Sequence, residues 1–495
     1  MALKFYNTMT RRKEEFQPLV TGKVGIYACG ITAYDLCHIG HARSAIVFDV
    51  IVRYMRYRGL NVTFVKNFTD VDDKIIERAR VEKCDINAVS EKYIRTHDRD
   101  MDALGVERPT IAPRATENID GMLRLIAALF ERGLAYAAPG GDVYFAVEKF
   151  PGYGKLSGRN LEDMQAGARV DVNENKRHPM DFALWKASKE GEPSWDSPWG
   201  KGRPGWHIEC SVMSQRYLGD TFDIHGGGED LIFPHHENEI AQSEGATGKT
   251  FARYWIHNGF VRVNSEKMSK SLGNFATIKD MLQACHPEVL RLFVLQSHYR
   301  SPVDFSEESL REARTGMDRF YSTLHLLEET LHKYGHTETE PREEALPEKD
   351  RLVLENIQTL PERFVEAMDD DFNTARALGH MFDAVRVLNG YLAREQHTPG
   401  AAAVQVLTRS REILRRTGAV LGLLREDPTR YFDADRDREA LKLGLDVAEI
   451  ENLVAERRRA RDQQEWQRAD EIRKLLLAKK IILKDSPDRT TWKIV

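Results

Sequence analysis

The chain is poor in cysteine, with five in 495 residues: Cys29, Cys37, Cys84, Cys210 and Cys285. An odd number with no short paired spacing excludes a disulfide framework and fits free thiols that pack or bind metal in a reducing compartment. Long apolar runs are missing. Nothing approaches the ~20 apolar residues of a membrane span, and no apolar stretch follows the basic Arg11-Arg12-Lys13 near the start, so no secretory leader is expected. The expected location is cytoplasmic, away from membranes. Internal repeats and low-complexity tracts are also lacking. Charge of one sign does not dominate: 72 basic residues stand against 77 acidic ones, a net −5. That total neither supports nor excludes a nucleic-acid partner, because binding depends on local patches.

What is present is an ordinary globular composition, 41% hydrophobic and 30% charged, which argues against disorder of the whole chain. The length exceeds what one core can organise and predicts two to four domains. Val24-Gly25-Ile26-Tyr27-Ala28 reads as a buried strand, Ala42 to Tyr57 as a helix closed by Gly59, and Asn61 to Lys66 as a second strand. This opening is a βαβ unit and implies a parallel sheet with ligands at the carboxyl ends of its strands. From about Ala112 to Arg203 the chain turns rich in Gly, Pro and Trp and reads as an insertion, after which the sheet domain resumes near Trp206. Beyond Ser306 the pattern is helical, with Glu308 to Tyr334, a charged loop from Glu338 to Lys349, and Asn373 to Arg394 capped by Asp371 or Asn373. The last part is small and charged: residues 451–495 hold 12 Lys/Arg and 8 Asp/Glu, a local excess of +4.

Three groups of residues carry chemistry. His38-Ile39-Gly40-His41 sits between the first strand and the first helix, where unpaired N–H groups and the helix dipole suit phosphate. Gly40 permits close approach, and the two imidazoles can donate to phosphate oxygens. A histidine N-cap with a turn glycine would look the same. Asn264 to Asn274 holds Lys267-Met268-Ser269-Lys270-Ser271, whose lysines can close over a triphosphate; a solvated basic loop is the plain alternative. Pro234-His235-His236-Glu237-Asn238-Glu239 begins a helix on which His235 and Glu239 share one face. Together with Cys29 and Cys210 they would offer zinc two thiolates, an imidazole and a carboxylate, with His236 nearby. Unless these four meet in space, they are a helix-face pair and two core thiols.

Long blocks of the sequence resemble the cysteinyl-tRNA synthetases, a class I aminoacyl-tRNA synthetase family. They are Cys29 to Arg43, Asn67-Phe68-Thr69-Asp70-Val71-Asp72-Asp73-Lys74-Ile75-Ile76, Gly205 to Ser211, His225 to Glu239, and the Lys267 loop. The resemblance implies an α/β architecture. A Rossmann-like parallel-sheet catalytic domain spans 1–305, with the insertion at about 112–203 and the Lys-Met-Ser-Lys-Ser region at 260–280. An α-helical bundle follows at 306–430, and a small anticodon-binding domain at 431–495.

The resemblance further implies a cysteine–tRNA ligase that forms cysteinyl-adenylate from ATP and L-cysteine and transfers the cysteine to the 3′-terminal adenosine of tRNA(Cys). His38, His41, Lys267 and Lys270 would be catalytic, and ATP would be bound by these four with Gly40 and Ser269. One zinc per chain would be held by Cys29, Cys210, His235 and Glu239, with Mg2+ arriving with ATP. Thr69, Trp206, His225 and His236 would line the cysteine pocket, although Trp206 also reads as a packing residue. A soft thiolate binds zinc far better than a hydroxyl does, so serine is rejected without an editing domain. Four protein ligands normally mark a closed zinc site; Glu239 is therefore the expected adaptable ligand, or the zinc becomes five-coordinate with substrate. Arg461, Trp466, Asp470, Asp485 and Trp492 would read the anticodon, where Arg and aromatic groups suit unstacked bases, or else would be a charged helix with Trp466 as its anchor. A monomer is expected. Two other readings are a ligase joining cysteine to an amino sugar, whose family members lack the C-terminal module, and an inactive RNA-binding paralogue, disfavoured by the intact ATP motifs.

Overall fold

A computed structural model describes residues 2–160, 175–263, 266–267, 276–334, 346–394, 400–485 and 490–494. The central parallel sheet follows from the βαβ opening. Strand β3 (Lys23–Thr32) leads into helix α1 (Ile39–Tyr57) and returns as β4 (Asn61–Thr69); a short hairpin, β1 (Lys4–Asn7) with β2 (Arg12–Glu15), precedes them. All three elements extend beyond the expected bounds: the strand ends continue the pairing, Ile31 opposite Phe68 and Thr32 opposite Thr69, with Asn67, Phe68 and Thr69 buried, and α1 begins earlier because His38 caps it. Later in the chain, β9 (Phe222–Gly228) and β10 (Ala252–Asn258) complete a parallel sheet of order β10-β9-β3-β4. From β3 the chain builds outward to β4 on one side and later to β9 and β10 on the other. The order therefore reverses between β3 and β9, where a crevice opens at the strands' carboxyl ends.

The expected insertion holds helix α4 (Ile119–Glu131) and an antiparallel sheet of β5 (Ala135–Ala137), β6 (Val143–Phe145), β7 (Phe182–Ala187) and β8 (Gly202–Pro204). It has its own core, in which Phe145 stacks on Phe182 and Trp185 is fully buried. Between β4 and this insertion lie α2 (Asp73–Glu82) and α3 (Ile86–Ala103). Helix α5 (Trp206–Leu218) packs on the central sheet at β3 and β4, and α6 (Glu237–Thr247) packs on it through Ile240 against Tyr27 and Trp255. Next come β11 (Val261–Val263), β12 (Glu266–Lys267), α7 (Ile278–Ala284), α8 (Pro287–Leu295) and β13 (Val303–Phe305).

The helical part consists of α9 (Glu307–Tyr334), α10 (Glu348–Gln358), α11 (Leu360–Asp369), α12 (Thr374–Leu392) and α13 (Ala401–Val420). Asn373, rather than Asp371, caps α12, accepting from Arg376 N at 3.0 Å. Of the expected loop 338–349, residues 338–345 lie outside the described residues, and Glu348 already opens α10. Helix α14 (Pro428–Lys442) spans residue 431, so the expected division falls inside a helix, whose Tyr431 ring stacks on Tyr321 of the bundle. The end of the chain is α15 (Val447–Asp462), α16 (Trp466–Ala478) and the hairpin β14 (Ile481–Asp485) with β15 (Thr490–Ile494), around a separate small core.

Candidate functional site

Strand register builds the floor of the crevice. Val65, Tyr27, His225 and Trp255 are paired across β4, β3, β9 and β10, and paired residues put their side chains on the same face. The His225 ring stacks on Trp255 with centroids 4.6 Å apart. Beyond this row β3 is irregular between Ala28 and Ile31. Gly30 is needed there: its N–H donates to Asn67 Oδ1 at 2.8 Å, and a Cβ would lie 1.5 Å from the Asn67 carbonyl oxygen. The irregularity turns Cys29 toward Cys210, with the two sulfurs 3.7 Å apart.

Helix α5 presents Cys210 and the start of α6 presents Glu239. Ligand atoms of Cys29, Cys210, His235 and Glu239 all lie within 4.8 Å of one another. Glu239 Oε1 is 3.0 Å from His235 Nε2, and its other oxygen is 2.8 Å from His225 Nε2. Burial opposes ionisation of Glu239, but His225 and His235 pull its pKa down to about 2. Burial also opposes the His235 imidazolium, yet Glu239 and Cys210 lift it to about 10. The Cys210 thiol is brought down to about 6, chiefly by its hydrogen bond with Cys29, whose own pKa burial pushes well up. One thiolate, one carboxylate and a cationic imidazole in a buried cluster form a charge pattern suited to exchange of protons for a cation. A second set, Cys29, His225, His236 and Glu239, shares two members with the first. The first offers two thiols, which suits zinc better, and it leaves His225 to orient Glu239.

The remaining pocket residues divide. Trp206 is 38% exposed, lies over His235 with centroids 4.2 Å apart, and lines the cleft. Fully buried His236 approaches Cys29 at 3.3 Å and pairs through Nδ1 with His257 at 2.8 Å. Thr69 gives its hydroxyl to Glu209 at 2.6 Å. Glu209, His207 and His257 were not singled out from the sequence. His207 Nδ1 lies 2.9 Å from His235 Nδ1, and its three-residue spacing from Cys210 on one helix was the available signal.

His38 caps α1. Its Nδ1 accepts from Gly40 N at 3.1 Å, and its own N–H donates to His41 Nδ1 at 3.2 Å. With each Nδ1 an acceptor, both rings carry their proton on Nε2, the edge suited to donate to an anion. The rings stack 3.8 Å apart. His38, Gly40, His41, Cys29, Trp206 and Phe260 all line one cleft of about 420 Å³. The backbone of Lys267 pairs with Arg262 in the β11–β12 hairpin; Ser269 and Lys270 lie outside the described residues.

In the C-terminal module, Arg457 grips Asp485 with two hydrogen bonds of 2.8 and 2.9 Å, and Arg461 reaches the same carboxylate at 2.6 Å. Trp466 is 60% exposed at the start of α16, and Asp470 is exposed beside it. Trp492 is only 4% exposed; its indole N–H donates to Glu451 at 2.7 Å, and Arg436 covers its ring. Among the described residues no helix is long and apolar enough to cross a membrane.

Comparison with known proteins gives matches along the whole chain. The model of the class I tRNA synthetase (C) catalytic domain matches residues 15–315, and that of the DALR domain matches 363–425. The chain is 58% identical to the cysteine–tRNA ligase of Geobacter metallireducens and 56% identical to that of Geobacter sulfurreducens, each over 100% of both chains. Among solved structures it is similar to Mycobacterium tuberculosis methionyl-tRNA synthetase bound by methionyl-adenylate, with a TM-score of 0.62, 16% identity, and coverage of 83% of this chain and 94% of that one. This last likeness is one of fold.

Proposed function

The chain belongs to the cysteine–tRNA ligase family of class I synthetases, and on that premise we propose that it activates L-cysteine with ATP and transfers it to tRNA(Cys). The observation that carries the reading is the meeting of the Cys29 thiol cluster and the His38–His41 helix start in one cleft. The alternative acceptor, an amino sugar, is set aside, because relatives named cysteine–tRNA ligase match across the full length, C-terminal module included.

Cys29, Cys210, His235 and Glu239 would hold zinc, which when bound supplies a soft Lewis acid for the thiolate of the substrate and so selects it over serine. His225 keeps Glu239 oriented, and Trp206, His236 and Thr69 belong to the walls around the amino acid. A carboxylate oxygen of cysteine attacks the α-phosphorus of ATP, the bond from that phosphorus to the bridging oxygen breaks, and pyrophosphate leaves. The Nε2 protons of His38 and His41 meet the charge that develops on the phosphates, over Gly40 and the amino end of α1. Lys267 and Lys270, with Ser269, hold the departing pyrophosphate with its Mg2+. A ribose hydroxyl of the terminal adenosine then attacks the carbonyl carbon and AMP departs. In this reading residues 1–305 are catalytic, 306–430 are a bundle, and the part from 431 reads the anticodon through Arg461, Trp466 and Asp470, with Asp485 holding Arg461 and Trp492 holding the module together. The enzyme works as a cytoplasmic monomer. Cysteine-dependent ATP–pyrophosphate exchange, a zinc assay on the same sample and cysteinylation of tRNA test the reading; exchange without cysteine dependence would overturn it.

A further inference from the structure

Arg43 is only 1% exposed, on the first turns of α1, two residues after His41. Among the described residues no carboxylate pairs with it. Its guanidinium donates instead to three backbone carbonyls: Phe260 O at 2.5 Å, Tyr299 O at 3.0 Å, and Ser301 O. These carbonyls stand where β11 and β13 begin to pair, Val261 opposite Val303, and the Tyr299 carbonyl also accepts from Gly259 N at 2.9 Å. Residues Asn258 to Val261 line the same cleft as His38 and His41, and β11 pairs with β12, where Arg262 stands opposite Lys267. A second tie fastens the same helix start to the beginning of α7: Ile39 N donates to Ala276 O at 3.1 Å and Ile278 N to Cys37 O at 2.9 Å.

Burying a guanidinium against neutral carbonyls is costly, and an apolar side chain would fill the space more cheaply. What an apolar side chain cannot do is fix three carbonyls at once with a planar fork. We propose that Arg43 is a positioning residue that holds the His38–His41 helix start at a set distance from the β11–β13 strand pair, and so fixes the width of the cleft between that helix start and the Asn258–Val261 wall. This rests on the adenylate-forming reading above.

The test compares wild type with Arg43→Lys, Gly259→Ala and Asp49→Asn, by kcat and KM in cysteine-dependent exchange, zinc content and Tm. Lysine keeps the charge but reaches fewer carbonyls. Alanine at 259 leaves Arg43 intact while its Cβ would lie 2.6 Å from Arg300 O, forcing the same wall apart. Asp49 lies further down α1 and binds Arg291 and Arg53, so its loss weakens the same helix away from the cleft. A misplacement of about 1 Å costs on the order of 100-fold in rate. Arg43→Lys and Gly259→Ala should therefore lose about 10- to 100-fold in kcat, with full zinc and KM for cysteine within about twofold. Asp49→Asn should lower Tm and keep kcat. Arg43→Lys at wild-type kcat overturns the inference, as does a kcat loss in Asp49→Asn that matches its loss of Tm. If Arg43→Lys does not fold, Gly259→Ala decides, since unchanged kcat there also overturns it. A wild type inert with cysteine would instead bring down the functional reading itself.

Discussion

Glu239 is held between two histidines, with one carboxylate oxygen 2.8 Å from His225 Nε2 and the other 3.0 Å from His235 Nε2. All three side chains are buried. One partner stands on a strand of the central sheet and the other one helical turn away on Glu239's own segment, so the carboxylate's position is fixed from two directions.

On the proposed reading that arrangement makes His225 a support for the zinc site. His225→Gln should weaken zinc binding by about 10- to 100-fold, the usual cost of losing a partner behind a ligand. Competition with a chromophoric chelator measures it; unchanged affinity would show that Glu239 does not depend on His225.

Cys210→Ser should remove zinc and cysteine activation together, because a hydroxyl replaces the buried thiol 3.7 Å from Cys29. Metal analysis alongside pyrophosphate exchange is the measurement, and full zinc in the variant contradicts the ligand set.

The two tryptophans of the C-terminal module should behave oppositely. Trp492→Ala empties a packed site and should cost about 3–5 kcal/mol of module stability, read as earlier loss of the module in thermal or protease unfolding. Trp466→Ala, at an exposed position, should leave stability within about 0.5 kcal/mol. It should raise KM for tRNA while pyrophosphate exchange stays at the wild-type rate. A Trp466→Ala enzyme that charges tRNA normally removes that residue from the anticodon-reading role.

Stability should fall with pH through His286. Burial, helped by Arg438, lowers its pKa to about 4. A folded-state value below the unfolded one of about 6.5 means that the unfolded chain takes up the proton first. The contribution is therefore complete above about pH 6.5 and is lost as pH falls toward about 4, by at most about 3 kcal/mol. His286 also caps α8, accepting from Glu288 N, so His286→Asn retains the cap and removes the titration. Tm against pH should flatten between about 6.5 and 4 in that variant; an unchanged slope would assign the acid loss to other groups.

Much of the candidate site was legible in local spacing. The strand–helix–strand opening placed His38 and His41 at a helix start, and the four-residue step from His235 to Glu239 placed both on one face. The Trp492 environment was not legible, since Arg436, Glu451 and Trp492 come together from three elements. Nor was the part played by Arg43, whose three partners are all backbone carbonyls and leave no trace in residue type.

The sequence by itself determined the chemistry on offer: thiols, imidazoles and a carboxylate suited to a soft metal, a helix start suited to phosphate, and a separate charged module at the end. Those properties depend on residue identity and on neighbours within a helical turn. Only the tertiary structure decided that Cys29 meets Cys210 across 181 residues, that His225 braces Glu239, and which tryptophan faces water. These contacts depend on the strand order β10-β9-β3-β4 and on helices crossing it. No local pattern encodes them, because pairing distant strands is settled by burial of the whole sheet at once.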